Sequence, residues 1–295
     1  MPNPLTALRR AGFSLGLLLG LTMTGASAQD LHPFADPSRL VVIGGSLTEI
    51  VYALGEEDKL VARDSTAVYP EAALSLPDVG YMRALAPEGV LSVDPTALLV
   101  LEGSGPPQAL EVLSEAGVEY QTIADEHSHQ GILAKVRAVG QVLGVPAKAE
   151  ALATELDAAL TAVEQQTASV PERRRVLFVL SAQDGKLMVS GTGTAANGAI
   201  ALAGAVNAVT EFEGYKPLTD EAIIAAAPDA VLMMDNAGGH SLTPEELFGH
   251  PGLAATPAGQ THTLIHMDGA YLLGFGPRTA AAVAELAKSL YGAPQ

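Results

Sequence analysis

Apolar positions along the chain follow two rhythms. "RLVVIGG" is a short β-branched run closed by glycines, and "SLTEIVYALG" after it spaces Leu47, Ile50, Val51 and Leu54 at helical intervals. A strand followed by a helix is expected there, with Ser46 or Thr48 as the cap. "LVARD", "TALLVLEG" and "EYQTIA" read as further short strands, with "PQALEVLSEAG" as a helix between the last two. The second half restarts with "RRRVLFVLS", passes through "SGTGTAANGAIALAG", reaches the strands "DAVLMMD" and "HTLIHMD", and closes on the amphipathic "PRTAAAVAELAKSLYG". Strands alternating with helices imply parallel βα units.

Between the halves lie "GILAKVRAVGQVLG" and "PAKAEALATELDAALTAVEQQTASV". The second piece is rich in Ala, Leu and Glu, has no glycine, and carries Pro146 where a first helical turn tolerates it. It predicts a stiff rod roughly 35 Å long rather than a flexible Gly/Ser tether. The expected fold class is α/β: two similar lobes with central, mostly parallel sheets, joined by one long linker helix, with a ligand cleft between them. Residues 29–140 would form the first lobe, 141–172 the linker and 173–295 the second lobe. A single doubly wound domain with a long surface helix is the alternative.

One phrase is written twice. "GYMRALAPEGVLSVDPTALLV" begins at Gly80, and "GYKPLTDEAIIAAAPDAVLMM" begins at Gly214. Each has Gly-Tyr, then Leu, then Glu, then a Pro leading into an apolar run, which pairs Tyr81 with Tyr215, Glu88 with Glu221 and Pro95 with Pro228. In α/β lobes ligands lie beyond the carboxyl ends of the strands, so matched loops of facing lobes make the two walls of a cleft. Each glutamate falls in a first helical turn, where the helix dipole alone favours a carboxylate. Matched glutamates on two lobes also suit a partner that is itself twofold.

Composition narrows the setting. The first 28 residues carry Arg9 and Arg10, an apolar stretch and "ASA" ending at Ala28, the pattern of a cleaved secretory signal. The apolar stretch is short of the roughly 20 residues a spanning helix needs, so stable membrane insertion is not expected. Without the two arginines the 16 basic residues fall to 14 against 33 acidic ones, and the formal charge moves from −17 to −19. Such a surface repels nucleic acid and anionic lipid and suits a basic partner. With no cysteine there is neither a disulfide, a thiolate metal site, a thiol nucleophile nor a lipid-modified Cys, and the expected location is a bacterial periplasm.

The leader, the "GGSLTEI" opening, the central helix and the paired Glu-x6-Pro phrases resemble the periplasmic binding proteins of ABC importers for cobalamin, siderophores and haem. The resemblance implies that Glu88 and Glu221 dock on arginines of a permease dimer served by an ATPase, and that the protein is a monomeric carrier rather than an enzyme. "YPEAALSLPDVGYMRALAPEG" and "MDGAYLLGFGPRT" look like the haem-binding branch, which implies Tyr81 as the iron ligand and Arg83 as its basic neighbour. The chemistry agrees, because ferric iron favours a hard anionic oxygen and tyrosinate is an established haem ligand. A free phenol ionises only near pH 10, so iron and a guanidinium together would favour the anion.

The resemblance leaves the opposite wall open. Where some members of the branch carry a histidine, this chain reads "LSAQDGK", and Asn236 stands near where others have an arginine. Tyr215, Lys216, His240 and Tyr271 are the candidates for that wall or for haem propionates, whereas Tyr69 reads as packing. The same scaffold carrying a ferric siderophore or cobalamin is the near alternative. A metal-dependent enzyme, or a zinc importer's receptor, built on His127 and His129 in "DEHSHQG" is the distant one, against a solvated polar loop. "SGTGTAANG" lacks a Gly-Lys-Ser/Thr ending, so its Thr and Asn read as caps rather than a phosphate loop. No Gly-x-Ser-x-Gly elbow is present to support hydrolase chemistry.

Overall fold

The computed structural model describes residues 31–183, 185–235 and 242–292, so the expected leader lies outside the described residues. The first lobe is built on β1 (Leu40–Ile43), β2 (Leu60–Arg63), β3 (Ala97–Leu101) and β4 (Glu119–Ile123), in the order β2-β1-β3-β4 and parallel throughout. β1 and β3 occupy the middle and every residue of both is buried. Their unbroken apolar runs are what a strand covered on both faces requires. Helices α1 (Gly45–Ala53), α2 (Pro87–Leu91), α3 (Pro107–Glu115) and α4 (His129–Val142) connect and cover them.

α5 (Pro146–Ala168) then runs for 23 residues. Ala149, Ala153, Leu156, Leu160, Val163 and Thr167, three or four positions apart, form its buried stripe. That stripe faces α4 of the first lobe and α6 and α12 of the second.

The second lobe contains β5 (Arg175–Gln183), β6 (Lys186–Ser190), α6 (Ala195–Leu202), β7 (Val206–Asn207), β8 (Tyr215–Leu218), α7 (Asp220–Ala226) and β9 (Ala230–Asp235). After these come α8 (Pro244–Phe248), α9 (Pro251–Ala254), α10 (Pro257–Thr261), β10 (Leu264–Asp268), α11 (Gly269–Leu273) and α12 (Thr279–Tyr291). Its sheet runs β10-β9-β5-β6-β8, with β7 also on β5. The β10, β9 and β5 pairs are parallel, but β6 and β8 are antiparallel. The expected parallel core is therefore present with an antiparallel extension. β8 is an exposed edge strand, which is where Pro217, lacking an N–H, is tolerated.

Two local expectations meet different fates. Thr194 caps α6 by accepting from the Asn197 N–H, as "SGTGTAANG" suggested. Ser46 and Thr48, expected to cap α1, instead lie buried inside it, and Gly44 is the cap residue with no side-chain bond. A side chain has no room there: a Cβ on Gly44 would come within 2.6 Å of the Leu101 side chain.

The repeated phrase is repeated in the backbone. Each copy places a left-handed non-glycine residue immediately before its proline, Asp94 (φ 50°) before Pro95 and Ala227 (φ 43°) before Pro228. Ala227 is the C-cap of α7, whereas α2 is capped by Ser92 and Asp94 follows in the turn after it. β3 and β9 follow as matching central strands. A left-handed residue ends a helix by turning the chain out of it, and the proline prevents resumption.

Candidate ligand cleft

The loop after Gly80 shows how the chain makes a site. Gly80 has φ 105°, a conformation that favours glycine, and its N–H donates to Asp78 at 2.9 Å. Asp78 is itself held by the Ser65 hydroxyl and the nearly buried Arg63. Next, Met82 is 6% exposed and packs in the core, so its neighbours Tyr81 and Arg83 both project outward. The backbone is fixed on both sides: Gly105 N–H donates to the Met82 carbonyl at 2.8 Å and Leu85 N–H to the Gly105 carbonyl at 2.9 Å. On this anchored turn Arg83 Nη1 donates to the Tyr81 hydroxyl at 2.9 Å. Tyr81 is 44% exposed.

Tyr215, the matching tyrosine, follows Gly214 at φ 81° but begins strand β8 instead of a turn. Its ring keeps an exposed face near Phe178, at 6.2 Å between centroids, while its hydroxyl reaches the N-terminus of α6. Loss of water there raises its pKa, against hydrogen bonds from Thr194 and the Ala196 N–H and against the charge of Arg83. Arg83 of the first lobe thus bonds Tyr81 directly, and its charge is felt more weakly at Tyr215 of the second lobe.

The other candidates are distributed differently. Lys216 is adjacent to Tyr215 in an extended strand, so it points to the opposite face, where its ammonium lies 5.2 Å from the centre of the Phe212 ring. Tyr271 sits in α11 with its hydroxyl toward Glu285. Burial and that carboxylate raise its pKa while Arg278 opposes them. His240 and Asn236 lie outside the described residues. Glu88 and Glu221 are exposed in the first turns of α2 and α7.

His127 and His129 are engaged separately. His127 meets Asp125 at 3.3 Å and the Phe275 ring edge-on at 4.9 Å, whereas His129 lies 2.9 Å from both Asp157 and Glu164 of α5. Among the described residues no group of three or more His, Cys, Asp or Glu is placed to hold a metal ion.

Sequence reasoning missed the junction of the lobes. Arg278 donates twice to Glu49 of α1, at 2.9 and 2.6 Å, across 229 residues of sequence. Its guanidinium lies 3.8 Å from the centre of the Tyr69 ring and 5.3 Å from that of Tyr271. Tyr69 is thus an exposed ring under a cation, not the packing residue expected. Beside this pair Lys135, 1% exposed, is bonded to Asp125 and to the Phe275 carbonyl. Burial works to raise the Asp125 pKa, but His127 and Lys135 outweigh it and hold it below the usual value. Gly198 completes the junction, since a Cβ there would come within 2.4 Å of the His127 carbonyl. The quoted "GFGPRT" was the available signal, because a lone arginine after Gly-Pro is a fixed point from which a charge can project.

A separate recess of about 610 Å³, bounded by Phe248, His262 and His266 beside edge strand β10, contains none of these groups. No described helix is long and apolar enough to cross a membrane.

The profile of a family described as periplasmic binding protein matches residues 40–271. Among solved structures, the periplasmic heme-binding protein BhuT in complex with two hemes is 41% identical with a TM-score of 0.82, over 85% of this chain and 97% of that one. The apo form of the periplasmic heme-binding protein RhuT from Roseiflexus sp. RS-1 is 38% identical with a TM-score of 0.82, over 88% of this chain and 99% of that one. The uncharacterized ABC transporter substrate-binding lipoprotein YvrC of Bacillus subtilis (strain 168) is 27% identical, over 92% of this chain and 85% of its own length.

Proposed function

The chain belongs to the periplasmic binding protein family, and on that premise we propose that it binds ferric haem in its cleft and hands it to an ABC permease. The observation that carries this reading is the Arg83 guanidinium, 2.9 Å from the Tyr81 hydroxyl on an anchored turn and close enough to act on Tyr215 opposite. Tyr81 binds iron as the phenolate, and Arg83 favours the anion. Tyr215, whose pKa is raised, serves the far wall as a neutral hydroxyl. Val68, Tyr69 and Leu74, each between 45% and 49% exposed, supply apolar surface on the first lobe for the macrocycle.

Delivery follows from the outer surface. Glu88 and Glu221 dock a monomeric, loaded carrier on a permease dimer driven by its ATPase, outside the cytoplasm and after cleavage behind Ala28. In this reading the protein is a carrier, and its formal charge of −17 opposes nucleic acid. With α5 and the Glu49–Arg278 pair both joining the lobes, release involves a small parting of the walls rather than a wide hinge motion.

Titrating hemin into the mature protein tests the reading. A high-spin ferric spectrum with a tyrosinate charge-transfer band is expected from the wild type and its loss from Tyr81→Ala. A wild-type protein that leaves the hemin spectrum unchanged overturns it.

A further inference from the structure

We propose that Leu91 and Ile224 are the apolar half of a two-point docking surface, each pressed into a socket beside the cationic group that receives the neighbouring glutamate. The inference rests on the docking of Glu88 and Glu221 on a permease dimer and adds to it. On α2, Glu88 and Leu91 are three residues apart, and on α7 so are Glu221 and Ile224, which puts each pair on one face of its helix. Val90 and Ile223, just before the aliphatics, are fully buried and pin each short helix to its lobe. Leu91 and Ile224 themselves are 37% and 45% exposed.

A single exposed aliphatic on a soluble protein needs no explanation. Here the same acid and the same kind of exposed side chain recur in one register, between the matched Gly-Tyr and the matched left-handed residue and proline. Displaying both keeps two equal knobs, one per lobe. The occupant they fit is a twofold protein with two equal sites, each an apolar hollow with a cationic side chain at its edge. The chain's formal charge of −17 supplies the complementary sign. Partly desolvated aliphatics inside a charged rim are the usual source of affinity in such contacts, while the charges set approach and register.

The test uses hemin-loaded protein and the importer's permease–ATPase complex in lipid nanodiscs, with Kd measured at several salt concentrations. L91S combined with I224S is expected to weaken binding about tenfold or more at every salt concentration, leaving the salt slope unchanged. E88Q combined with E221Q is expected to weaken it and flatten the slope. V112S is the control, an aliphatic 46% exposed on α3 without a counterpart in the repeat, and it should bind as wild type. Hemin titration of each variant confirms an intact cleft. If the glutamate variant loses binding while the L91S/I224S protein does not, this inference fails and the docking reading stands. If the glutamate variant binds normally with its salt slope intact, the docking reading fails. A loss with V112S equal to that of the double variant overturns the matched-knob inference in favour of unspecific apolar contact.

Discussion

The two copies of the Gly-Tyr phrase share a short helix, a left-handed residue before a proline, and a central strand, yet they carry their tyrosines in different ways. Tyr81 stands on a turn with a guanidinium on its hydroxyl. Tyr215 opens an antiparallel edge strand, and its hydroxyl is drawn to a helix N-terminus in the same lobe. The difference lies in what each part faces. On the proposed reading, α2 and α7 face a twofold partner, which favours matched helices, and the loops face a single iron, which calls for one anionic oxygen rather than two.

The sharpest way to break that comparison is to remove one hydroxyl at a time. Tyr81→Phe takes away the only atom of that ring able to hold iron, so hemin affinity should fall by at least about 100-fold, beyond the range typical of groups that merely support a metal ligand. The charge-transfer band should vanish with it. Tyr215→Phe should keep the band and lose less than about tenfold. Equal losses, or a band that survives Tyr81→Phe, would make the two lobes functional equals.

The next largest effect concerns what ties the lobes together. Arg278→Ala leaves the Glu49 carboxylate, 8% exposed, without its bidentate partner. Removing one member of a fully buried pair costs about 3–5 kcal/mol. Because the Arg278 side chain retains 24% exposure, roughly 2 kcal/mol is the expected loss, read from the urea midpoint of the apo protein. Arg278→Lys keeps the charge without the planar fork and should recover only part of it.

That pair also shows where local pattern stops being informative. The βα order, the 23-residue α5 and the repeat were legible because each is a periodicity of neighbouring residues. β6 and β8 were not, since "KLMVS" and "YKPL" are too short, and the second too polar and proline-bearing, to read as strands. β6 runs back along β5 after Gly185, φ 73°, and β8 adds to β6 only after the chain has passed through α6 and β7. Glu49 with Arg278 and Lys135 with Phe275 are 229 and 140 residues apart, and each reads locally as an ordinary polar position. In the cleft, Tyr81 and Arg83 were singled out by the resemblance of the phrase around them, and the hydrogen bond between them makes them direct neighbours. Lys216, a candidate for the opposite wall or for haem propionates, does not share a face with its strand neighbour Tyr215. Strand alternation turns it away.

Arg83 bonds Tyr81 and its charge reaches Tyr215, so neutralising it tests both lobes. Arg83→Gln should weaken hemin about tenfold, as loss of a group orienting a metal ligand usually does. In the apo protein the Tyr215 pKa should rise further, because Arg83 is among the groups now holding it down. Ultraviolet difference titration of Arg83→Gln, with Tyr215→Phe as the reference that lacks the signal, reads this shift. An unchanged Tyr215 midpoint would mean that the influence of Arg83 stops at its own lobe.

The smallest effect tests how closely the copies agree in backbone. Ala227, at φ 43°, holds a left-handed conformation that costs an L residue roughly 1–2 kcal/mol. Ala227→Gly removes that strain and adds freedom to the unfolded chain, which takes back part of the gain. The net stabilisation should be about 0.5–1 kcal/mol in urea unfolding. Asp94, at φ 50° in the other copy, belongs to a residue type whose short polar side chain tolerates this region better. Asp94→Gly should therefore gain less than Ala227→Gly. If Ala227→Gly destabilises instead, its methyl group is contributing packing that outweighs the backbone strain, and the two stops are alike in angle but not in what holds them.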